Sequence, residues 1–304
     1  MTKLKSIFAD AYNLFHSDGS LFNNPEVDSD GFCSVSLEMR RDEVVLAHGT
    51  GFFWDAGQGE IAIVTAWHNL SGLHHSKRTT LHSMGGMPNS VTLRFTTLAP
   101  QAFRIETLPL YLDEAEEQPR WFVHKRLGNY LDIAFLLLKV DKPEAFARTN
   151  IKFKEPKTRP KLGEDVFAIG FPQNAAVASV FPVWKRGSIA SDMDIPVEGH
   201  PKFMIDMTGR SGMSGSPVFR IKRGMYYEGD SKNGKLLIGD LKEFVGIYSG
   251  RAFVCEKESS ELGFVWRREY IDEMINHKVL DEKPEPGKGT WTHSSNLITE
   301  NSKG

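Results

Sequence analysis

Three residue types that together perform acyl transfer stand in separate stretches of this chain, in the order His68, Asp132, Ser214. Ser214 lies in Thr208-Gly209-Arg210-Ser211-Gly212-Met213-Ser214-Gly215-Ser216-Pro217-Val218, a serine between glycines that leads into a Pro-Val strand entry. Glycines beside a reactive serine open backbone conformations closed to other residues, so that two amide N–H groups can aim at one oxygen. A serine hydroxyl is a weak nucleophile near neutral pH; it needs a base to take its proton and a carboxylate to hold that base in one tautomer. His68 and Asp132 are the candidates for those tasks. Each residue also has a plainer reading: a strand-end histidine satisfies buried carbonyls, an aspartate caps a turn, a serine sits in an ordinary glycine-rich loop. Their occurrence together, each in suitable context and in a workable order, weighs for chemistry.

Strand-like runs must position these groups. Ile61-Ala62-Ile63-Val64-Thr65 reads as a buried strand that delivers His68 to an edge, and Asp132 opens the apolar run Ile133 to Leu138. Further runs lie at Phe32 to Leu37, Val44 to Ala47, Gly49 to Trp54, Val91 to Phe95, Phe103 to Leu112, Val166 to Ile169, Val180 to Trp184, Phe203 to Met207, Val218 to Ile221, Phe244 to Arg251 and Gly263 to Trp266. Tyr270, Ile271, Met274 and Ile275 mark one face of a closing helix. Residues 1–30 read as an N-terminal extension that begins with a short amphipathic helix on Ile7, Ala11, Leu14 and Phe15. The first half spans 31–142, a Lys-, Arg- and Pro-rich surface linker 143–162, the second half 163–280, and a polar tail, expected to be disordered, 281–304. Between 222 and 242 the second half makes a hydrophilic excursion in which Asn233-Gly234 signals a hairpin. With His and Asp in the first half and Ser in the second, the site forms at the cleft between them, where a peptide can enter.

Composition narrows the function classes. The 304 residues are 40% hydrophobic and 25% charged, the balance of a folded globular chain. Acidic residues number 39 and basic ones 37, and neither Arg40-Arg41 nor Arg267-Arg268 makes a basic tract, so nucleic acid is not an expected partner. Cys33 and Cys255 lie far apart in apolar surroundings and read as two buried thiols rather than a disulfide. The N-terminus has a basic start but is broken by Asp10 and Asn13 before any long apolar run, so it does not read as a signal peptide, and no long apolar run follows. A cytoplasmic protein without membrane association is the expectation. His74, His75 and His82 fall in a polar loop without cysteines or a helical His-Glu frame, so no metal site is expected.

The segments Thr65-Ala66-Trp67-His68, Asp132-Ile133-Ala134 and Gly212-Met213-Ser214-Gly215-Ser216-Pro217 resemble the three signatures of trypsin-like (chymotrypsin-fold) serine proteases. Ala168-Ile169-Gly170-Phe171-Pro172 and Gly49-Thr50-Gly51-Phe52 are similar to segments of the bacterial, intracellular-type members, and Gly246-Ile247-Tyr248-Ser249-Gly250 looks like the strand that pairs with substrate backbone. The resemblance implies an all-β fold of two six-stranded antiparallel β-barrels with a C-terminal helix, and a serine endopeptidase that needs no cofactor. It makes His68 general base and then acid, Asp132 its orienting carboxylate, Ser214 the acyl-enzyme nucleophile, and the Gly212 and Ser214 amides the oxyanion hole. It places Thr208, Arg210, Tyr248, Ser249, Gly250 and Arg251 against the substrate.

Departures from the family pattern sharpen these expectations. Secreted members carry an acid immediately before the serine, where it pairs with a newly cut N-terminus; Met213 cannot, so no such activation switch is inferred. Thr208, six positions before the serine, supplies no carboxylate for Lys or Arg substrates. Arg210 and Arg251 would favour an acidic side chain, although the glutamate-cleaving branch carries a pocket histidine where this chain has Tyr248. Two other readings stay open: a catalytically silent protease-fold module that binds peptides, and an enzyme activated by a regulatory protein partner.

Overall fold

Runs of β-branched and aromatic residues become strands here wherever both faces of the run find cover. The computed structural model describes residues 28–98, 103–153, 155–156, 159–174, 181–228, 235–252 and 261–287, and its strands form two sheets. The first half supplies β1 (Ser34–Arg41), β2 (Val44–Gly57), β3 (Glu60–Thr65), β4 (Ser90–Thr96), β5 (Phe103–Pro109), β6 (Phe122–Val123) and β7 (Ala134–Lys139). The second supplies β8 (Asp165–Gly170), β9 (Val183–Ile189), β10 (Lys202–Asp206), β11 (Pro217–Glu228), β12 (Lys235–Arg251) and β13 (Leu262–Arg267), and the chain then enters a helix, Glu269–His277, and β14 (Val279–Leu280).

The second half closes into the expected six-stranded barrel, in the order β10-β13-β12-β11-β8-β9. The first half does not match the expectation of a closed six-stranded barrel. It is an eight-stranded sheet, β14-β6-β7-β3-β2-β1-β4-β5, whose end strands are not paired with each other. Two causes are visible. On β5, Arg104, Ile105, Glu106 and Thr107 are exposed, so this strand has no second buried side to close against. At the opposite end, β14 comes from beyond the closing helix and pairs Val279 with Val123 and Leu280 with Phe122.

Period-two alternation divides the side chains among three cores. Phe53 on β2 points into the first half with Val35, Ile63, Leu93 and Leu136, while its neighbours Phe52 and Trp54 point into a layer between the halves. There both rings meet Phe244 of β12 at 5.4 Å between centroids. Val166, Phe203, Ile205, Val218 and Val265 fill the interior of the second barrel. Phe52, Phe53 and Trp54 of β2 are therefore buried on both faces of the strand.

Several segment expectations are corrected. Within the 143–162 segment, Ala147 and Phe153 are buried and Phe153 packs on Phe219 at 4.1 Å, so that part is anchored core rather than surface linker. The 222–242 excursion agrees with the hairpin expectation in its described part, with β11 and β12 pairing antiparallel from Lys222–Leu241 out to Glu228–Lys235, while Asn233 and Gly234 themselves lie outside the described residues. The expected disorder from 281 onward does not hold for its first residues. Asp281 accepts hydrogen bonds from the indoles of Trp67 (2.7 Å) and Trp121 (2.9 Å), both rings fully buried, and Gly287 donates to the Arg78 carbonyl at 3.0 Å. The expected helix near Ile7, the remainder of the tail from 288 and Cys255 lie outside the described residues; Cys33 is a buried free thiol. Among the described residues no helix is long and apolar enough to cross a membrane, and no cluster of three metal-ligating side chains occurs.

Candidate active site

His68 does not sit at the end of β3. That strand stops at Thr65, Ala66 caps a short helix, α1 (Trp67–Ser71), and His68 occupies its first turn. Asp132, on the loop entering β7, reaches across and holds the histidine twice. Its Oδ1 accepts from the His68 backbone N–H at 3.0 Å, and its Oδ2 lies 2.7 Å from Nδ1. The Ser249 hydroxyl donates to the same Oδ2 at 2.5 Å. The Asp132 side chain is 2% exposed and that of His68 16%, so the carboxylate is sealed while the ring keeps an open edge. Burial alone would raise the Asp132 pKa. The His68 charge and hydrogen bond, helped by His75 and Ser249, outweigh it and hold the carboxyl well below the usual range.

Around Ser214 nearly every backbone group can be assigned. Met213 N–H donates to Arg210 O at 3.2 Å, closing a turn whose third residue, Gly212, has φ +89°, the signature of type II. Ser211 O accepts from Gln173 N–H, Gly212 O from the Thr50 hydroxyl at 2.7 Å, and Met213 O from Ser216 N–H at 3.0 Å. Ser214 O accepts from Thr50 N–H and from Asn69 Nδ2, both at 2.9 Å. Gly215, also at φ +89°, donates to Tyr248 O. The amides of Gly212 and Ser214, like that of the exposed Ser211, donate to no acceptor among the described residues. In a trans peptide the N–H points opposite to its C=O, so the Ser211 and Met213 carbonyls, tied down on one side, turn these two amides to the other.

The Ser214 hydroxyl itself donates to Ser249 O at 3.1 Å, and no hydrogen bond joins it to His68. The histidine and aspartate are thus assembled, while the serine hydroxyl is engaged by Ser249 instead of the histidine. Ser249, expected along the substrate backbone, serves here as the shared partner of Asp132 and Ser214. Thr50, Asn69 and Gln173 were absent from the expected site. Only the adjacency of Asn69 to His68 and of Thr50 to two glycines could have hinted at them.

The remaining expected pocket residues separate into wall and rim. Tyr248 is 1% exposed, and its ring and hydroxyl lie so close over Gly209 and Gly263 that neither could carry a Cβ. Its hydroxyl has no partner among the described residues, and burial pushes its pKa to about 12. Thr208 and Gly250 are half-buried, Arg210 and Arg251 exposed, with the stem of Arg251 lying along Gly209.

Behind Asp132 a second histidine cluster joins the two halves. His75 and His200 rings are 5.3 Å apart, each lies against Trp266, and Tyr130 packs on His200 at 4.1 Å. Lys202, paired with Glu198 at 2.7 Å, sits over the Phe264 ring. Burial, reinforced by His75 and Lys202, lowers the His200 pKa to about 4, and burial lowers that of His75 as well. A depressed histidine binds its proton later in the folded state than in the unfolded one. Its contribution is therefore complete above the unfolded value, near 6.5, and is lost as pH falls toward about 4. Melting temperature is expected to drop over that window, and less steeply in His200→Gln, as scanning calorimetry at a series of pH values can check.

The family model described as a trypsin-like peptidase domain matches residues 49–225. No curated protein matches. Among solved structures, the active form of the Rv3671c protease from M. tuberculosis is 17% identical, with TM-score 0.43, over 89% of this chain and 91% of that one. A mutant, inactive form of Rv3671c from M. tuberculosis H37Rv is 16% identical, with TM-score 0.44, over 86% and 93%. A serine endoprotease from Yersinia pestis is 16% identical, with TM-score 0.45, over 81% of this chain and 62% of that one. The family match takes in His68, Asp132 and Ser214 and spans more than half of the 304 residues, so the chain belongs to the trypsin-like peptidase family of serine endopeptidases.

Proposed function

We propose that the chain cleaves peptide bonds by acyl transfer through Ser214, on a chymotrypsin-like architecture of one closed barrel and one open-edged sheet. The observation that carries this reading is the backbone accounting around the serine. Two neighbouring amides stay unspent while every carbonyl of the turn is tied elsewhere, the arrangement an oxyanion needs. Rotation of the Ser214 hydroxyl from Ser249 O to His68 Nε2 lets His68 take its proton. Asp132, bonded at Nδ1, stabilises the imidazolium that forms. The Gly212 and Ser214 amides hold the developing oxyanion, His68 protonates the leaving amine, and water repeats the sequence to release the acid. A silent peptide-binding module would be supported by a carbonyl turned into the site. The carbonyls of this turn are engaged elsewhere, which speaks against it.

Tyr248 bears on specificity. It fills the space beside Gly209 where a long substrate side chain would otherwise enter, so the proposed substrates carry a small residue on the acyl side of the cut bond. Arg210 and Arg251 then act at the exposed rim rather than at a pocket floor. Digestion of a peptide library tests activity and pocket together. Cleavage after Ala, Ser or Gly is expected, with larger residues admitted by Tyr248→Ala; efficient cleavage after Lys, Arg or Phe by the wild type would refute the plugged pocket.

A further inference from the structure

We infer that Thr50 is a positioning residue for this reaction, holding the oxyanion turn in working form where Met213 supplies no ion pair. The inference rests on the reading of Ser214 as the nucleophile. Thr50 lies on β2, in the opposite half of the molecule from the turn, and is fully buried. Its hydroxyl accepts from Phe171 N–H at 3.1 Å, so its own proton is committed to Gly212 O at 2.7 Å. Its backbone N–H meanwhile holds Ser214 O at 2.9 Å. One residue thus ties the carbonyls on both sides of Met213.

The hydroxyl also connects the two supports of the turn. Phe171 is two residues before Gln173, whose N–H takes the Ser211 carbonyl and so turns the Gly212 amide toward the site. Gln173 itself has φ +52°, a strained value for a side-chain-bearing residue, so its position has to be held by neighbours. Gly170 leaves room for this arrangement, since a Cβ there would run into the Thr50 and Ser216 hydroxyls. Met213 is buried with no charged partner, its sulfur lying 4.0 Å from the Ser216 hydroxyl. Without the Thr50 hydroxyl, Phe171 N–H and Gly212 C=O both lose a buried partner. The loop and the turn come loose together.

The test compares Thr50→Val, of similar shape without the donor, and Thr50→Ser, which keeps it, with the wild type on a peptide substrate. Thr50→Val is expected to lower kcat about 100-fold with KM within about threefold, the size of losing one oxyanion donor. Thr50→Ser is expected to restore kcat to within about fivefold of wild type. Affinity for a peptide boronate, which mimics the tetrahedral state, should fall in parallel with kcat, a change that a merely structural role would not produce. If Thr50→Val does not fold, Thr50→Cys, with its weak donor, takes its place. A kcat equal to wild type in Thr50→Val, a loss confined to KM, or an equal loss in Thr50→Ser overturns the role of Thr50. A wild type that neither turns over nor reacts at Ser214 defeats the underlying reading of the site instead.

Discussion

Replacement of Ser214 by alanine is expected to lower kcat by about five to six orders of magnitude, the scale seen when the nucleophile of such a triad is removed. The substitution deletes one oxygen whose single hydrogen bond among the described residues is to Ser249 O, at a half-buried position. Its thermodynamic cost is therefore about 1 kcal/mol or less. The Gly212 and Ser214 amides are backbone groups and survive, so a residual acceleration of about 10³ over water should remain from the oxyanion site and binding. His68→Ala should fall by a comparable amount, and the double variant no further, because the two residues act as a unit. Progress curves at high enzyme concentration, with calorimetry to verify folding, measure all of these.

The second large effect belongs to Asp132→Asn, for which a loss of about 10⁴-fold in kcat is expected near neutral pH. The hydrogen-bond inventory explains the size. Oδ1 receives the His68 N–H, while Oδ2 receives the Ser249 hydroxyl and faces Nδ1. An amide placed there presents an NH₂ to one of these donors in either orientation, so it favours the wrong histidine tautomer or breaks the backbone tie. The buried charge that stabilises the imidazolium also disappears. Because the Asp132 pKa is depressed in the folded state, its contribution to stability is present above the unfolded value and is lost as pH falls through the folded one. The acid limb of the stability curve should therefore change in the variant together with kcat.

His68, Asp132 and Ser214 were legible in the sequence because each is bracketed by local signals: an apolar strand before His68, another after Asp132, glycines about Ser214. The groups that orient them were not. Thr50 meets Gly212 across 162 positions and Asn69 meets Ser214 across 145, and single-sequence patterns say nothing of such pairings. The same limit hid the end of the chain. Val279 and Leu280 carry no strand signal of their own, yet they pair with Val123 and Phe122, and Asp281 joins two indoles. The open edge of the first sheet was missed for another reason: Phe103 to Leu112 is apolar enough to read as a barrel strand, but its central side chains face solvent. Tyr248 was expected against the substrate. That it plugs the space over Gly209 depends on Gly263 as well, a third segment that the local sequence does not connect to it.

Labelling with a fluorophosphonate, followed by peptide mapping of the modified residue, tests the central claim most directly. The predicted result is a single adduct on Ser214 in the wild type, absent in Ser214→Ala and His68→Ala, with Ser214→Ala keeping the wild-type melting temperature and His68→Ala still folding cooperatively. A folded wild type that takes no label, or an adduct on any other residue, would contradict the assignment of Ser214 as the nucleophile.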